Sequence, residues 1–219
     1  MDRAESTGER RARGQRRTVS ALEAAAVGTL PVVQVRRGTT IRDTADVARR
    51  LSAAAIELFT ERGFDDVAID EIANLAGVNK RTFFRYYPSK ETIFLDILDQ
   101  TSGELVRAIE AAEGEDLHDL LGSAVVAWGE HNAPALLSFA ELAEGSETLQ
   151  AVSALHSWKH EEAIAQALTR RLPGLDAYVA DMAGAVALAA LRIARARCLA
   201  SRSDFATEVA LAFAAVRFP

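Results

Sequence analysis

The chain has 219 residues, 49% hydrophobic and 26% charged, with a mean hydropathy of +0.03. That composition describes a soluble globular chain with apolar material for one or two cores, and it excludes disorder throughout. A single cysteine, Cys198, excludes an intrachain disulfide and a Cys-rich zinc site.

The first twenty residues are Arg-rich without the apolar stretch of a secretory signal, and the longest uncharged apolar run near the C-terminus, Met182 to Leu191, is ten residues, far short of a bilayer span. We therefore expect a cytoplasmic protein with no membrane partner. The net charge of −6 conceals a gradient: +5 over residues 1–42, −3 over 43–98 and −8 over 99–219. Contact with nucleic acid must then be local, through the N-terminal arm or a small cluster such as Lys80, Arg81, Arg85 and Lys90.

Gly and Pro are sparse and alternating β-branched runs are absent apart from a short stretch, Val32 to Val35 beside Pro31, so the pattern predicts an all-α chain. Residues 1–40 read as a flexible arm with six Arg between Arg3 and Arg17 and one short helical stretch, Ser20 to Val27, where Ser20 and Glu23 have capping-box spacing. From Asp43, the residues Val47, Leu51, Ala54, Ala55, Leu58 and Phe59 recur at three- and four-residue spacing and predict a helix that stops at Gly63. Two short helices follow, Ile69 to Ala76 and Lys80 to Tyr86, joined at Gly77 and closed by Pro88. Longer helices are expected over Lys90 to Ala112, Asp116 to His131, Ala135 to Ala143, Glu147 to Arg171, Ala177 to Ala200 and Phe205 to Arg217, with Pro134 as one of the boundaries. The domains expected are 1–40 (arm), 41–88 and 89–219.

The segment from Asp70 to Lys90 carries the function. Two short helices about an Ala-Gly-Val turn match a helix-turn-helix: Ala73 and Ala76 permit close approach, Gly77 turns, Val78 plugs the small core, and Asn79 to Thr82 lead the exposed recognition helix. Lys80, Thr82, Tyr86 and Lys90 are the expected phosphate ligands. Asn79, Arg81 and Phe83 are expected to face the groove, at least one of Phe83 and Phe84 is expected in the core, Tyr87 is counted with the contacts, and Arg85 is left open. The alternative, a helical hairpin inside an ordinary core, makes poor use of Lys80, Arg81 and Arg85.

On these residues the chain resembles the tetracycline-repressor (TetR) family of bacterial transcriptional regulators. The resemblance runs through Leu58-Phe59, Gly63-Phe64, Ile72-Ala73, Ala76-Gly77-Val78, Thr82 and an aromatic pair before Pro88-Ser89-Lys90. The block Arg81-Thr82-Phe83-Phe84-Arg85-Tyr86, with Trp158 and Leu168 to Leu172, is similar to an actinobacterial branch that includes mycofactocin-system regulators. Three departures stand out. Ala68 occupies the position of the usual Thr cap of the second helix, Val47 and Ala48 stand where Thr-Arg is frequent, and the arm is long. The resemblance implies a three-helix DNA-binding domain followed by a helical ligand-binding and dimerisation domain. It further implies a homodimer on a palindromic double-stranded operator, released by a small-molecule effector.

For the second domain, Trp128, His131, Phe139, His156 and Trp158 are candidates to line an effector pocket. His156 and His160 stand four apart but lack the Glu of a zinc-protease helix, so no metal is expected. Met182 to Leu191 is apolar nearly all round and needs cover on every face. Gly184, Ala187, Leu188 and Leu191, with Val209, Phe213 and Val216 of the last helix, are therefore expected to form a four-helix dimer interface. No nucleophile–base pair, phosphate loop or metal-ligand set is present in the sequence, so neither catalysis nor a cofactor is expected. An architectural DNA binder blind to ligands is the competing class, for which the basic arm is the argument.

Overall fold

A computed structural model describes residues 41–201 and 203–216. The expectations for the arm, including the Ser20 to Val27 stretch, and for Arg217 lie outside the described residues. The described residues form eight helices and no strand: α1 Ile41–Arg62, α2 Ile69–Leu75, α3 Lys80–Tyr86, α4 Lys90–Ala111, α5 Leu117–Glu144, α6 Glu147–Arg171, α7 Ala177–Ser201 and α8 Phe205–Ala214. The chain is all-α, with an N-terminal helix-turn-helix domain and a C-terminal helical domain. It divides into two compact units. One holds the described residues up to Gln100 together with Glu141–Val152, and the other holds Thr101–Ala140 and the residues from Ser153 onward.

In the first unit α1 buries Ala48, Leu51, Ala55, Ile56 and Phe59 along one stripe, the three- and four-residue spacing of an amphipathic helix. It ends at Gly63, whose N–H donates to Phe59 O at 2.9 Å, and the chain turns so that the Phe64 ring lies 4.9 Å from that of Phe59. Helix α2 contributes Ile72 and Ala73 to the same core. Gly77 adopts φ +68°, a backbone region that a side chain disfavours. There Val78 N–H reaches Ala73 O at 2.9 Å, and the Arg50 guanidinium donates to Ala76 O at 2.8 Å.

The second unit has a core of Leu105, Ile109, Leu120, Leu121, Val125, Trp128, Leu168, Ala187, Val209 and Phe213, among others. Helix α5 runs unbroken through Pro134, where the sequence predicts a break. Proline removes one backbone donor and crowds the carbonyl four residues back. Here Ala135, Phe139 and Ala140 are buried beyond it as Val125 and Trp128 are before it, so packing on both sides holds the helix together. Asp176 and Asp204 accept from the first free N–H groups of α7 and α8. Arg170 pairs with Glu110 at 2.6 Å, and Arg171 donates twice to Ala112 O.

Helix α7 corrects the expected dimer face. Its buried residues include Ala180, Ala183, Gly184, Ala187, Leu191 and Ala194, and a Cβ on Gly184 would stand 2.5 Å from Glu161 O of α6. The small residues thus pack against the chain's own helices. Val209 and Phe213 are likewise buried: Phe213 lies against Gly122 of α5 and Val209 against Gly129. Leu188 is half-buried against the same core. The surface left over lies on the other side of the α7–α8 pair, where Val186, Ala189, Ile193, Leu211, Ala215 and Val216 line a shallow groove of about 390 Å³. By length and composition α7 is apolar enough to cross a bilayer, although its uncharged run is short. The packing of its small residues on α6 accounts for that composition within the helical core.

Candidate nucleic-acid interface

The geometry begins with the cap of α3. Asn79, extended at φ −90°, accepts the Thr82 N–H on its side-chain oxygen at 2.8 Å and starts the helix. Ala68, at the equivalent place before α2, has no acceptor. The Glu71 carboxylate compensates by taking the Ala68 N–H at 2.9 Å, and it also takes two N–H groups of Arg62 at 2.7 and 2.8 Å. The Arg62 hydrogen bonds, followed by the Ala68 N–H, bring the Glu71 carboxyl down to about 2. A lowered folded-state pKa contributes stability above the ordinary value of 4.5 that is lost as the pH falls towards 2. We therefore expect the thermal midpoint of this unit to fall between pH 4.5 and pH 2, and Glu71→Gln to be less stable at neutral pH with a flatter acid limb. A Gln variant with an unchanged pH profile would show that the Arg62–Glu71 contact contributes nothing.

Helix α3 is seven residues long and divides its side chains cleanly. Asn79, Lys80, Arg81, Phe84 and Arg85 are exposed, and Thr82 and Tyr86 are half-buried. Phe83 is 0% exposed and Phe84 46%. This reverses one expectation: Phe83 belongs to the core, its ring edge-on to Phe84 at 5.5 Å and tilted against Tyr87 at 6.2 Å, and Phe84 is the aromatic on the outer face.

Tyr87 is a second correction. It is 2% exposed, its hydroxyl donates to Asp96 at 2.9 Å and lies 3.1 Å from Ser52 Oγ. Burial, reinforced by the Asp96 carboxylate, pushes its phenol well above the usual range. Tyr87 is thus a buried strut between α1 and α4, facing away from any duplex.

Lys90 is a third correction. Its ammonium donates to Phe64 O at 2.7 Å, Val67 O at 3.0 Å and Asp65 O at 3.2 Å and stands 4.4 Å from the Phe64 ring centre. Three carbonyls consume the three donors of an ammonium, so Lys90 clamps the α1–α2 turn.

Four other cations of this unit are also engaged. Arg49 and Arg50 pair with Asp46 at 2.6 and 3.1 Å. Lys80 pairs with Asp70 at 3.0 Å. Arg85 lies 5.1 Å from the Tyr86 ring centre. Arg81 has no hydrogen bond, ion pair or ring contact among the described residues. Its guanidinium is free to meet a base edge or a phosphate.

The five candidate pocket residues do not share a surface. Trp128 is 7% exposed in the core, and its indole N–H has no acceptor among the described residues. Phe139 is buried, while His131 and Trp158 face outward. His156 is half-buried and packs edge-on against His160 at 5.4 Å. Cys198 is buried, and burial raises its thiol pKa.

Residues 51–97 match the family model for bacterial regulatory proteins, tetR family. Over 58 residues the chain is 50% identical to a protein of Mycobacterium tuberculosis named as a transcriptional regulator of mycofactocin biosynthesis, MftR, an alignment covering 26% of each chain. Over 52 residues it is 36% identical to the HTH-type transcriptional regulator RutR of Escherichia coli, covering 24% of each. These matches thus span about a quarter of the curated relatives' own length. A crystal structure of a TetR-family regulator from Streptomyces coelicolor shares the fold over 83% of this chain and 97% of that one, with a TM-score of 0.53 and 22% identity.

Proposed function

We propose that this chain, whose DNA-binding module is that of the TetR family of bacterial regulatory proteins, is a repressor that binds a palindromic operator as a homodimer and is released by a small-molecule effector. In this reading residues 41–88 bind DNA, 89–219 bind effector and dimerise, and the protein works in the cytoplasm without catalysing a reaction. One observation carries it. A capped seven-residue helix presents Asn79, Lys80, Arg81, Phe84 and Arg85 outward from a core that Phe83 closes behind it, the arrangement by which a recognition helix enters the major groove. Selection of bound duplexes from a random pool by the purified full chain should return two inverted half-sites about one or more helical turns apart. A pool enriched in no sequence would overturn the reading.

The homodimer is supported by the α7–α8 groove. Ile193 is 43% and Leu211 56% exposed, and the groove edge carries the Arg197–Glu208 pair at 3.5 Å. Two copies of the α7–α8 pair facing each other make a four-helix seam. Ile193→Glu and Leu211→Glu add charge on the outer face and leave the core untouched. Each should convert a dimer to a monomer in light scattering, with the thermal midpoint of the helical domain retained. A wild-type monomer, or charged variants that stay dimeric, would contradict this seam.

Two features support effector release. Among the described residues the buried Trp128 N–H has no acceptor, and an effector with a carbonyl or ether oxygen would supply one. Residues 141–152, covalently continuous with α5 and α6 of the helical domain, pack in the DNA-binding unit. There Ser146, 2% exposed, donates to Asp65 at 3.0 Å, in the turn that Lys90 clamps. A ligand that shifts α5 or α6 would act on the recognition helices through this segment, as a population shift between DNA-competent and incompetent states.

A further inference from the structure

The DNA-binding module is acidic, −3 over residues 43–98, which is unexpected for a surface meant to meet phosphates. The placement of its acids explains how this is tolerated. Around the α1–α2 turn and α2, Asp65 accepts from Ser146, and Glu71 binds Arg62 and the Ala68 N–H. These acids hold the fold. Asp70 does not: its carboxylate is 58% exposed, and its one bond among the described residues is with Lys80 Nζ, itself 56% exposed, at 3.0 Å. The pair joins the exposed face of α2 to the leading turn of α3, the place where the first phosphate contact is expected.

We propose that Asp70 is a positioning residue for DNA binding that acts through Lys80, holding its ammonium as an internal counterion so that the cation reaches a phosphate only by exchanging one anion for another. This inference rests on the DNA-binding reading given above. The physical consequence concerns ions. A lysine that neutralises a phosphate releases a condensed cation from DNA, which makes binding salt-dependent with a slope near −0.9 per contact. When Lys80 leaves Asp70, the bared carboxylate beside the backbone retains a cation and cancels much of that release. Asp70 therefore lowers affinity for any duplex and flattens its salt dependence without touching DNA. Non-specific attraction is weakened at its source, which leaves a larger share of binding to the groove-facing side chains.

The test is a double-mutant cycle in the full-length chain, Asp70→Asn, Lys80→Ala and the pair. Affinity for a labelled random-sequence duplex is read by fluorescence anisotropy across a series of potassium chloride concentrations. Asp70→Asn should tighten binding at low salt by up to about fivefold, the equilibrium worth of an exposed ion pair, and steepen the slope of log K against log salt by up to about 0.9. In the Lys80→Ala background the same substitution should change neither quantity beyond a small uniform charge effect. Asp70→Ser should behave as Asp70→Asn does, which separates loss of charge from any effect peculiar to the amide. An unchanged slope in Asp70→Asn, or an equal gain with and without Lys80, would overturn the proposal. Failure of the wild-type chain to bind any duplex at low salt would instead overturn the DNA-binding reading itself. A merely structural role for Asp70 would shift the thermal midpoint and weaken binding, opposite in sign to the result expected.

Discussion

Phe83→Ala should destabilise the DNA-binding unit by about 3–5 kcal/mol, the range for removing a buried aromatic ring, whereas Phe84→Ala one position along should leave its thermal midpoint almost unchanged. Phe83 is fully buried between α3 and the rest of the unit, its ring tilted against that of Tyr87. Its removal leaves a cavity under a helix of only seven residues. Such a helix cannot hold itself together in water without its buried face, so DNA binding should disappear with the fold. Phe84 is 46% exposed, and its truncation should reduce operator affinity with the fold intact. Circular dichroism melts of the two variants, read beside anisotropy titrations, separate these effects. Equal losses of stability would mean that the two rings share the core.

The second large effect concerns how closely helices approach in the helical domain. Gly184→Ala places a Cβ 2.5 Å from the Glu161 carbonyl oxygen of α6. Because the obstacle is backbone, the helices must move apart, a strain of the kind that costs about 1–3 kcal/mol, and Gly184→Leu should cost more. Two glycines of α5 provide a graded comparison. At Gly129 the new Cβ would meet the Phe205 ring at 3.0 Å, and at Gly122 the nearest atom is Phe213 Cδ1 at 3.8 Å. Gly122→Ala should therefore stabilise by up to about 1 kcal/mol through helix propensity, Gly129→Ala should fall between, and Gly184→Ala should destabilise. A Gly184→Ala midpoint at or above that of Gly122→Ala would show that α6 and α7 are not packed as described.

Where residues announce themselves by conformation, the sequence was readable. Gly63 and Gly77 mark helix ends by positive φ, Asn79 is a strong cap, and the spacing through Leu51, Ala55 and Phe59 specifies the buried side of α1. The assignment of Phe83 and Phe84 was not readable in the same way. A helix of under two turns gives periodicity too few samples to orient two adjacent identical rings, and the deciding partner, Tyr87, lies just past the helix end. In sequence, a cation beside a helix-turn-helix looks the same whether it meets phosphates or, as Lys90 does, three carbonyls of its own chain. Helix α7 posed the opposite problem. Ala and Gly occupy nearly every face, so hydrophobicity alone cannot distinguish the face packed on α6 from the one carrying Ile193. Local propensity makes Pro134 a stop, and the packing that overrides it comes from residues on both sides that only the fold brings together.

The central claim is that the outer face of α3 reads bases, with Arg81 as its unpaired cation. It is tested most directly by measuring Arg81→Ala affinity for a selected operator and for the same operator with each base pair of one half-site replaced in turn. The account predicts a loss of about 1–3 kcal/mol on the operator, confined to one or two base pairs at which the variant no longer discriminates, with random-duplex affinity reduced much less. An equal loss on operator and random duplex, with discrimination intact at every position, would make Arg81 a phosphate ligand and contradict the claim.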